Sequence, residues 1–143
     1  MPLSFCSIST FRESLQQLCK KEKAGYQGCK NDICSFFKDH PFDEIWEMKT
    51  LLKDMNNLRL IKLRLKNSSQ NLSAADGYRL VICCNRKYQT IAFLNIFPKR
   101  GKLGRLDQTT EEYKNQLETY LSALKTHDLI FHDIRKELHT VQA

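Results

Sequence analysis

The chain has 143 residues, enough for one domain with a core and too few for two. Its 41% apolar and 27% charged residues match a globular protein and exclude a disordered or fibrous one. No apolar run is long enough to cross a bilayer, and a net charge of +7 favours a polyanionic partner.

The opening MPLSFCSIST lacks the basic segment and long apolar stretch of a secretory signal, so a cytoplasmic protein is expected. Residues 3–8 alternate weakly and predict a first strand. Thr10 and Glu13 have capping-box spacing, and Phe11, Leu15, Leu18 and Cys19 follow at helical intervals up to Gly25. Tyr26, Cys29, Ile33, Phe36 and Phe37 mark a second helix, stopped by His40-Pro41. A short helix is expected from Asp43 to about Lys53, with Ile45, Trp46 and Leu52 inward.

Then the period changes from helix to strand. In LRLIKLRLK (58–66), Arg59, Ile61, Leu63 and Leu65 point one way, and Leu60, Lys62, Arg64 and Lys66 the other. A polar loop (67–76) precedes two more strands, GYRLVICC (77–84) and TIAFLNIF (90–97), joined by a short hairpin turn. Thr109 and Glu112 form a second capping-box pair, opening a helix with Tyr113, Leu117, Tyr120, Leu121 and Leu124 on its stripe. Ile130, Ile134, Leu138 and Val141 suggest a last helix. The six cysteines, Cys6, Cys19, Cys29, Cys34, Cys83 and Cys84, show no CxxC pair and no zinc-type Cys/His set. They read as buried free thiols, with Cys83 and Cys84 on opposite faces of one strand.

The basic residues are unevenly spread. Residues 58–105 hold eleven Lys and Arg against one acid, Asp76, a balance of +10, which leaves −3 for the rest of the chain. If the three strands form an antiparallel meander, Arg64, Lys66, Arg79, Lys99 and Arg100 gather at one end of the sheet, with Lys62 beside them. Lys99 to Arg105 adds a purely cationic loop, which Gly101 and Gly104 are expected to loosen, after Pro98 has ended the pairing. Such a rim can bind phosphates, stabilise charge that builds on a phosphate, and lower a lysine pKa by crowding. A merely solvated strand edge, kept charged against aggregation, would carry the same residue types.

Lys62-Leu63-Arg64, Gly77-Tyr78-Arg79 and Phe97-Pro98-Lys99-Arg100, in that order and followed by the helix from Thr109, resemble the RelE/HigB-like toxins of bacterial toxin–antitoxin systems. The likeness spans about 58–125 and is only architectural before that. It implies one α+β domain of RelE-like microbial RNase-like fold over 1–143, a small antiparallel sheet with N-terminal helices and a C-terminal helical segment. It implies cleavage of mRNA, commonly on the ribosome, without a metal or other cofactor, and neutralisation by a cognate antitoxin with an acidic docking segment. The substrate 2′-OH would attack the adjacent phosphate. Arg79, Lys99 and Arg100 would be catalytic, and Lys62, Arg64, Lys66 and Lys102 would bind RNA. Two features depart from the family pattern. The connector 65–76 is longer, and no Tyr or His follows the last basic pair between Gly101 and Gln108. Tyr113, on the helix stripe, reads as core, and His127 and His132 lie further on. The alternative is a non-enzymatic binding protein of the same fold, such as a gyrase poison or an inactivated toxin. A plain basic nucleic-acid-binding domain comes third.

Overall fold

The computed structural model describes residues 2–20 and 25–141. In chain order it contains β1 (Ser4–Ser7), α1 (Ser9–Lys20), α2 (Cys29–Asp39), α3 (Phe42–Trp46), β2 (Leu51–Met55) and β3 (Leu58–Leu65). A 3-10 turn (Ser68–Gln70) leads to β4 (Tyr78–Asn85), β5 (Thr90–Pro98), α4 (Thr110–Thr126), β6 (Ile130–Asp133) and β7 (His139–Val141). The architecture is α+β. The strands form one sheet in the order β2-β3-β4-β5-β1-β6-β7. The β1–β5 pair is parallel and all others are antiparallel.

The expected meander is present as β3-β4-β5, and its polarity pattern explains its place. All eight residues of β4 are buried, as are all of β5 after Thr90. A strand covered on both faces reads as a continuous apolar run rather than an alternation. One face carries Ile61, Leu63, Leu80, Ile82 and Phe93 beneath α1, α2 and α3; the other carries Leu60, Val81, Ala92 and Leu94 beneath Leu117 and Tyr120 of α4. Cys84 belongs to the first layer and Cys83 to the second, so the neighbouring thiols do part across the sheet. All six cysteines are free, and only Cys19 is not fully buried. Burial pushes the Cys6 and Cys84 thiols up to about 12, which leaves them unreactive at neutral pH.

Four expectations need correction. The helix from Asp43 to Lys53 stops at Trp46, and Leu51–Met55 is a strand whose Leu52 is exposed rather than inward. Met55 pairs with Leu58 across Asn56-Asn57, and Asn56 takes a positive φ of 36°. Two asparagines supplied a hairpin turn inside what reads as a helical stripe. The expected last helix is also absent, because His127 adopts the left-handed conformation (φ 58°) and closes α4. The chain then pairs Ile130–His132 with Ser7–Phe5, covering an edge of β1 that would otherwise hold unpaired backbone groups. With these additions the sheet has seven strands and mixed polarity, not the small antiparallel form expected. Lastly, α1 already includes Ser9, so Thr10 lies inside it and is no cap. The stretch before Gly25, where that helix is expected to end, lies partly outside the described residues. The Thr109–Glu112 capping box is formed with both reciprocal hydrogen bonds.

Candidate nucleic-acid interface

The register of the meander decides which basic side chains meet. Arg64 of β3 lies directly opposite Arg79 of β4, which lies opposite Phe97 of β5. These residues share the α4 face of the sheet, at the end where β5 runs into the loop 99–105. The stretch Ala74-Ala75-Asp76 folds over the same end and acts as its hub. Arg79, only 5% exposed, donates to the carbonyls of Ala74 (3.0 Å), Ala75 (2.7 Å) and Tyr78 (3.2 Å). Lys99 Nζ reaches the same Ala75 carbonyl at 3.2 Å and lies 3.7 Å from Asp76. Arg100 binds Asp76 through Nη2 at 2.8 Å and Nε at 3.3 Å. Cations from β4 and from the end of β5 are thus drawn to one rim through backbone carbonyls and a single carboxylate.

The electrostatics follow from this geometry. The hydrogen bond and charge of Arg100 hold the Asp76 carboxyl below its ordinary range, with Lys99 adding to the effect. Burial lowers the Arg79 pKa, and the charge of Arg64 lowers it further; Asp76 and Asp107 act in the opposite direction. A guanidinium so placed remains charged, because its unperturbed value is far above neutrality.

A second cluster adjoins the first. Lys62 Nζ lies 3.2 Å from Asp107, whose Oδ1 also accepts hydrogen bonds from the Tyr113 hydroxyl (2.5 Å) and the Gln108 N–H (2.7 Å). Burial pushes the Asp107 carboxyl up, but these three donors outweigh it and hold the group below its usual range. Burial, and the hydrogen bond to Asp107, push the Tyr113 phenol well up. Tyr113 therefore has its ring on the helix stripe and its hydroxyl at the basic rim. It is a proton-carrying group that its stripe position concealed. Asp107 stands 45 residues from Lys62 in sequence, and only the packing of α4 on that face of the sheet joins them.

The seven expected site residues divide into four groups. Arg79, Lys99 and Arg100 converge on residues 74–76, and Lys62 faces Asp107. Arg64 and Lys66 are exposed at the end of β3, share a cleft with Ala74, and form no ion pair within the described residues. Lys102 is exposed in the loop 99–105 and likewise has no ion-pair partner there. That loop is tightly closed, rather than loosened by glycine. Arg105 N–H returns to the Pro98 carbonyl at 2.9 Å, and the buried Tyr26 hydroxyl donates to Arg100 O (2.9 Å) and accepts from Leu103 N–H (3.2 Å). Gly101 has φ +90°, and a Cβ there would lie 2.3 Å from the Tyr26 oxygen. Pairing in β5 also extends through Pro98, which sits opposite Tyr78.

Not every cation of the 58–105 excess reaches the rim. Arg105 makes a paired hydrogen bond with Glu112 at 2.7 and 2.8 Å, fastening the loop to the start of α4, and holds that carboxyl at about 2. Arg59 and Arg86 lie at the opposite end of the meander, on Trp46. Their guanidinium carbons stand 4.6 and 4.4 Å from its ring centroid. His127 caps α4, and His132 on β6 is bonded to Ser7 and the Leu138 carbonyl, two strands beyond β5 in the sheet order. Among the described residues, no group of three His, Cys, Asp or Glu is placed to hold a metal ion, and no helix is long and apolar enough to cross a membrane.

Compared with protein-family models, with curated proteins and with solved structures, the chain shows no match.

Proposed function

We propose that the rim binds single-stranded RNA and cuts it, making the chain an endoribonuclease of the kind its RelE/HigB-like resemblance implies. One observation carries this reading. Three short basic motifs, Lys62-Leu63-Arg64, Gly77-Tyr78-Arg79 and Phe97-Pro98-Lys99-Arg100, come from three consecutive strands and end at one rim that also holds a Tyr–Asp proton pair. The element order supports it too, with a strand and helices ahead of the meander and a helix after it.

In this reading Arg64 and Lys66, free of ion-pair partners among the described residues, take the phosphates, and Lys102 extends the track. Arg79 is buried and spends three of its five N–H donors on backbone carbonyls, so it acts by holding residues 74–76 in place and by its field. Arg100 and Lys99 neutralise charge on the phosphorane-like transition state once a phosphate displaces Asp76. The RNA 2′-oxygen attacks the adjacent phosphorus, an O2′–P bond forms and the P–O5′ bond breaks. The 2′-OH proton passes to the Tyr113–Asp107 pair, and Lys62 or Lys99 supplies the proton that the departing 5′-oxygen takes. The products are a 2′,3′-cyclic phosphate and a 5′-hydroxyl. By the same resemblance the substrate is mRNA, commonly on the ribosome, and an antitoxin with an acidic docking segment is the neutralising partner.

The test is primer extension on mRNA from cells expressing the chain, and on mRNA incubated with purified protein with and without ribosomes. New 5′ ends are expected, and should disappear with Arg100→Ala. If no new ends form under either condition, the enzymatic reading fails. A second reading has its own observation: Asp76 and Asp107 already occupy Lys99, Arg100 and Lys62. A protein with its cations so paired inhibits by contact alone, and would arrest growth while leaving mRNA intact.

A further inference from the structure

Beside the rim lies a cleft of about 330 Å³ that joins the end of β3 to the last turn of α2. We propose that it is a nucleobase subsite, taking one unpaired, amino-bearing base of an RNA whose phosphates lie on Arg64 and Lys66. The inference rests on the RNA-binding reading of the rim and adds what that rim reads.

The chemistry of the walls carries it. Phe36 and His40 of α2 and its cap are stacked face to face, with centroids 4.1 Å apart and planes at 9°. Both are only half-buried and both line the cleft. An accessible aromatic pair next to cations is the surface on which unstacked bases are held. His40 Nδ1 faces the Phe36 carbonyl at 2.7 Å, so Nδ1 carries a proton, and in the neutral ring Nε2 is the acceptor. Nε2 stands 3.9 Å from Glu44, outside hydrogen-bond range. Asp39, exposed and without an ion pair among the described residues, adds a second acceptor to the same cleft. Asp32 is not available in this way, because its carboxylate accepts the Ser68 N–H at 3.0 Å.

The two ends of the cleft therefore differ in sign. At one end α2 terminates, and its last carbonyls, Asp39 and Nε2 all favour a donor. At the other end Arg64 and Lys66 favour an anion. A phosphate or an acidic peptide suits only the cationic end. A nucleotide suits both, with the base amino group toward α2 and the phosphate toward β3. Adenine, guanine and cytosine carry that amino group, and uracil does not.

The experiment measures binding of the full chain to four probes by fluorescence anisotropy: labelled hexamers of adenylate, of uridylate and of abasic ribose-phosphate, and AMP as unlabelled competitor. The adenylate hexamer should bind at least tenfold more tightly than the abasic one, with uridylate in between and AMP a weak competitor. His40→Ala and Phe36→Leu should remove that difference and leave abasic affinity unchanged, whereas Lys66→Ala should weaken all three hexamers alike. Should Phe36→Leu lose the fold by circular dichroism, His40→Ala and Asp39→Asn on the surface decide the matter. Equal affinity for adenylate and abasic hexamers overturns the subsite and leaves the phosphate-binding rim intact. Equal affinity for adenylate and uridylate overturns the amino-group assignment. AMP competing as strongly as the hexamer overturns RNA as the ligand, in favour of a free nucleotide. Binding to no hexamer overturns the subsite and the RNA-binding reading together.

Discussion

The two ends of the β3-β4-β5 meander carry the same residue types and use them in opposite ways. At one end Arg59 and Arg86 lie against Trp46, and Arg59 also binds Asp54 and the Trp46 carbonyl. Those guanidinium groups seal the edge of the core. At the other end Arg64 and Lys66 have no ion-pair partner among the described residues, and Arg79, Lys99 and Arg100 are gathered by the carbonyls of Ala74 and Ala75 and the carboxylate of Asp76. The lesson is that a net charge along the sequence does not locate a binding surface. Strand direction and local partners decide which cations are structural and which are free.

That contrast can be broken most forcefully at the hub. Arg79→Ala removes the donors of three carbonyls at a buried site, and should cost about 2–3 kcal/mol of stability, read as a lower urea midpoint with unchanged slope. It should also lower RNA affinity, by releasing 74–76. Next in size is Gly101→Ala, which forces a side chain into a positive-φ turn against the Tyr26 oxygen. A loss of about 1–3 kcal/mol is expected, with Tyr26→Phe milder at about 1 kcal/mol. At the Trp46 end, Arg86→Ala should cost about 1 kcal/mol of stability and leave RNA affinity unchanged. Lys66→Ala should do the reverse, leaving stability unchanged and reducing the slope of log affinity against log salt by about 0.7, as expected for one phosphate of a single strand.

The smallest effect concerns pH, at a site far from both ends. Ser7 hydrogen-bonds His132 Nε2 at 2.6 Å, Arg12 donates to the Ser7 oxygen at 3.0 Å, and His132 Nδ1 faces the Leu138 carbonyl at 2.9 Å. Burial lowers the His132 pKa from its ordinary 6.5, and Arg12 and Lys30 lower it further, although the bond to Leu138 raises it. The unfolded chain then binds more protons than the folded one below about 6.5. Stability should be fully present above that pH and fall as acidity increases. Ser7 and His132 tie β6 to β1, so the loss should appear first in hydrogen exchange of β6 and β7.

Much of this was legible from local pattern. Alternation at 58–66, the apolar runs of β4 and β5, and the Thr109–Glu112 box each describe an element in its own residues. Strand direction then placed Arg64, Arg79 and Arg100 at one end. What could not be read were features settled by distant partners. Asn56 turned a helical stripe into a hairpin, and the free edge of β1 recruited Ile130–Asp133 as a strand despite its helix-like spacing. Asp107 and the Tyr113 hydroxyl joined the rim only because α4 packs on that face of the sheet.

The most direct measurement compares two double variants by titration of a single-stranded RNA hexamer at two salt concentrations. Arg64→Ala/Lys66→Ala should lose at least tenfold in affinity and flatten the salt dependence. Arg59→Ala/Arg86→Ala, equal in charge removed, should match the parent in both once folding is verified by circular dichroism. Equal losses from the two variants, or a larger loss from the Trp46 pair, would contradict a binding rim at the β3–β5 end.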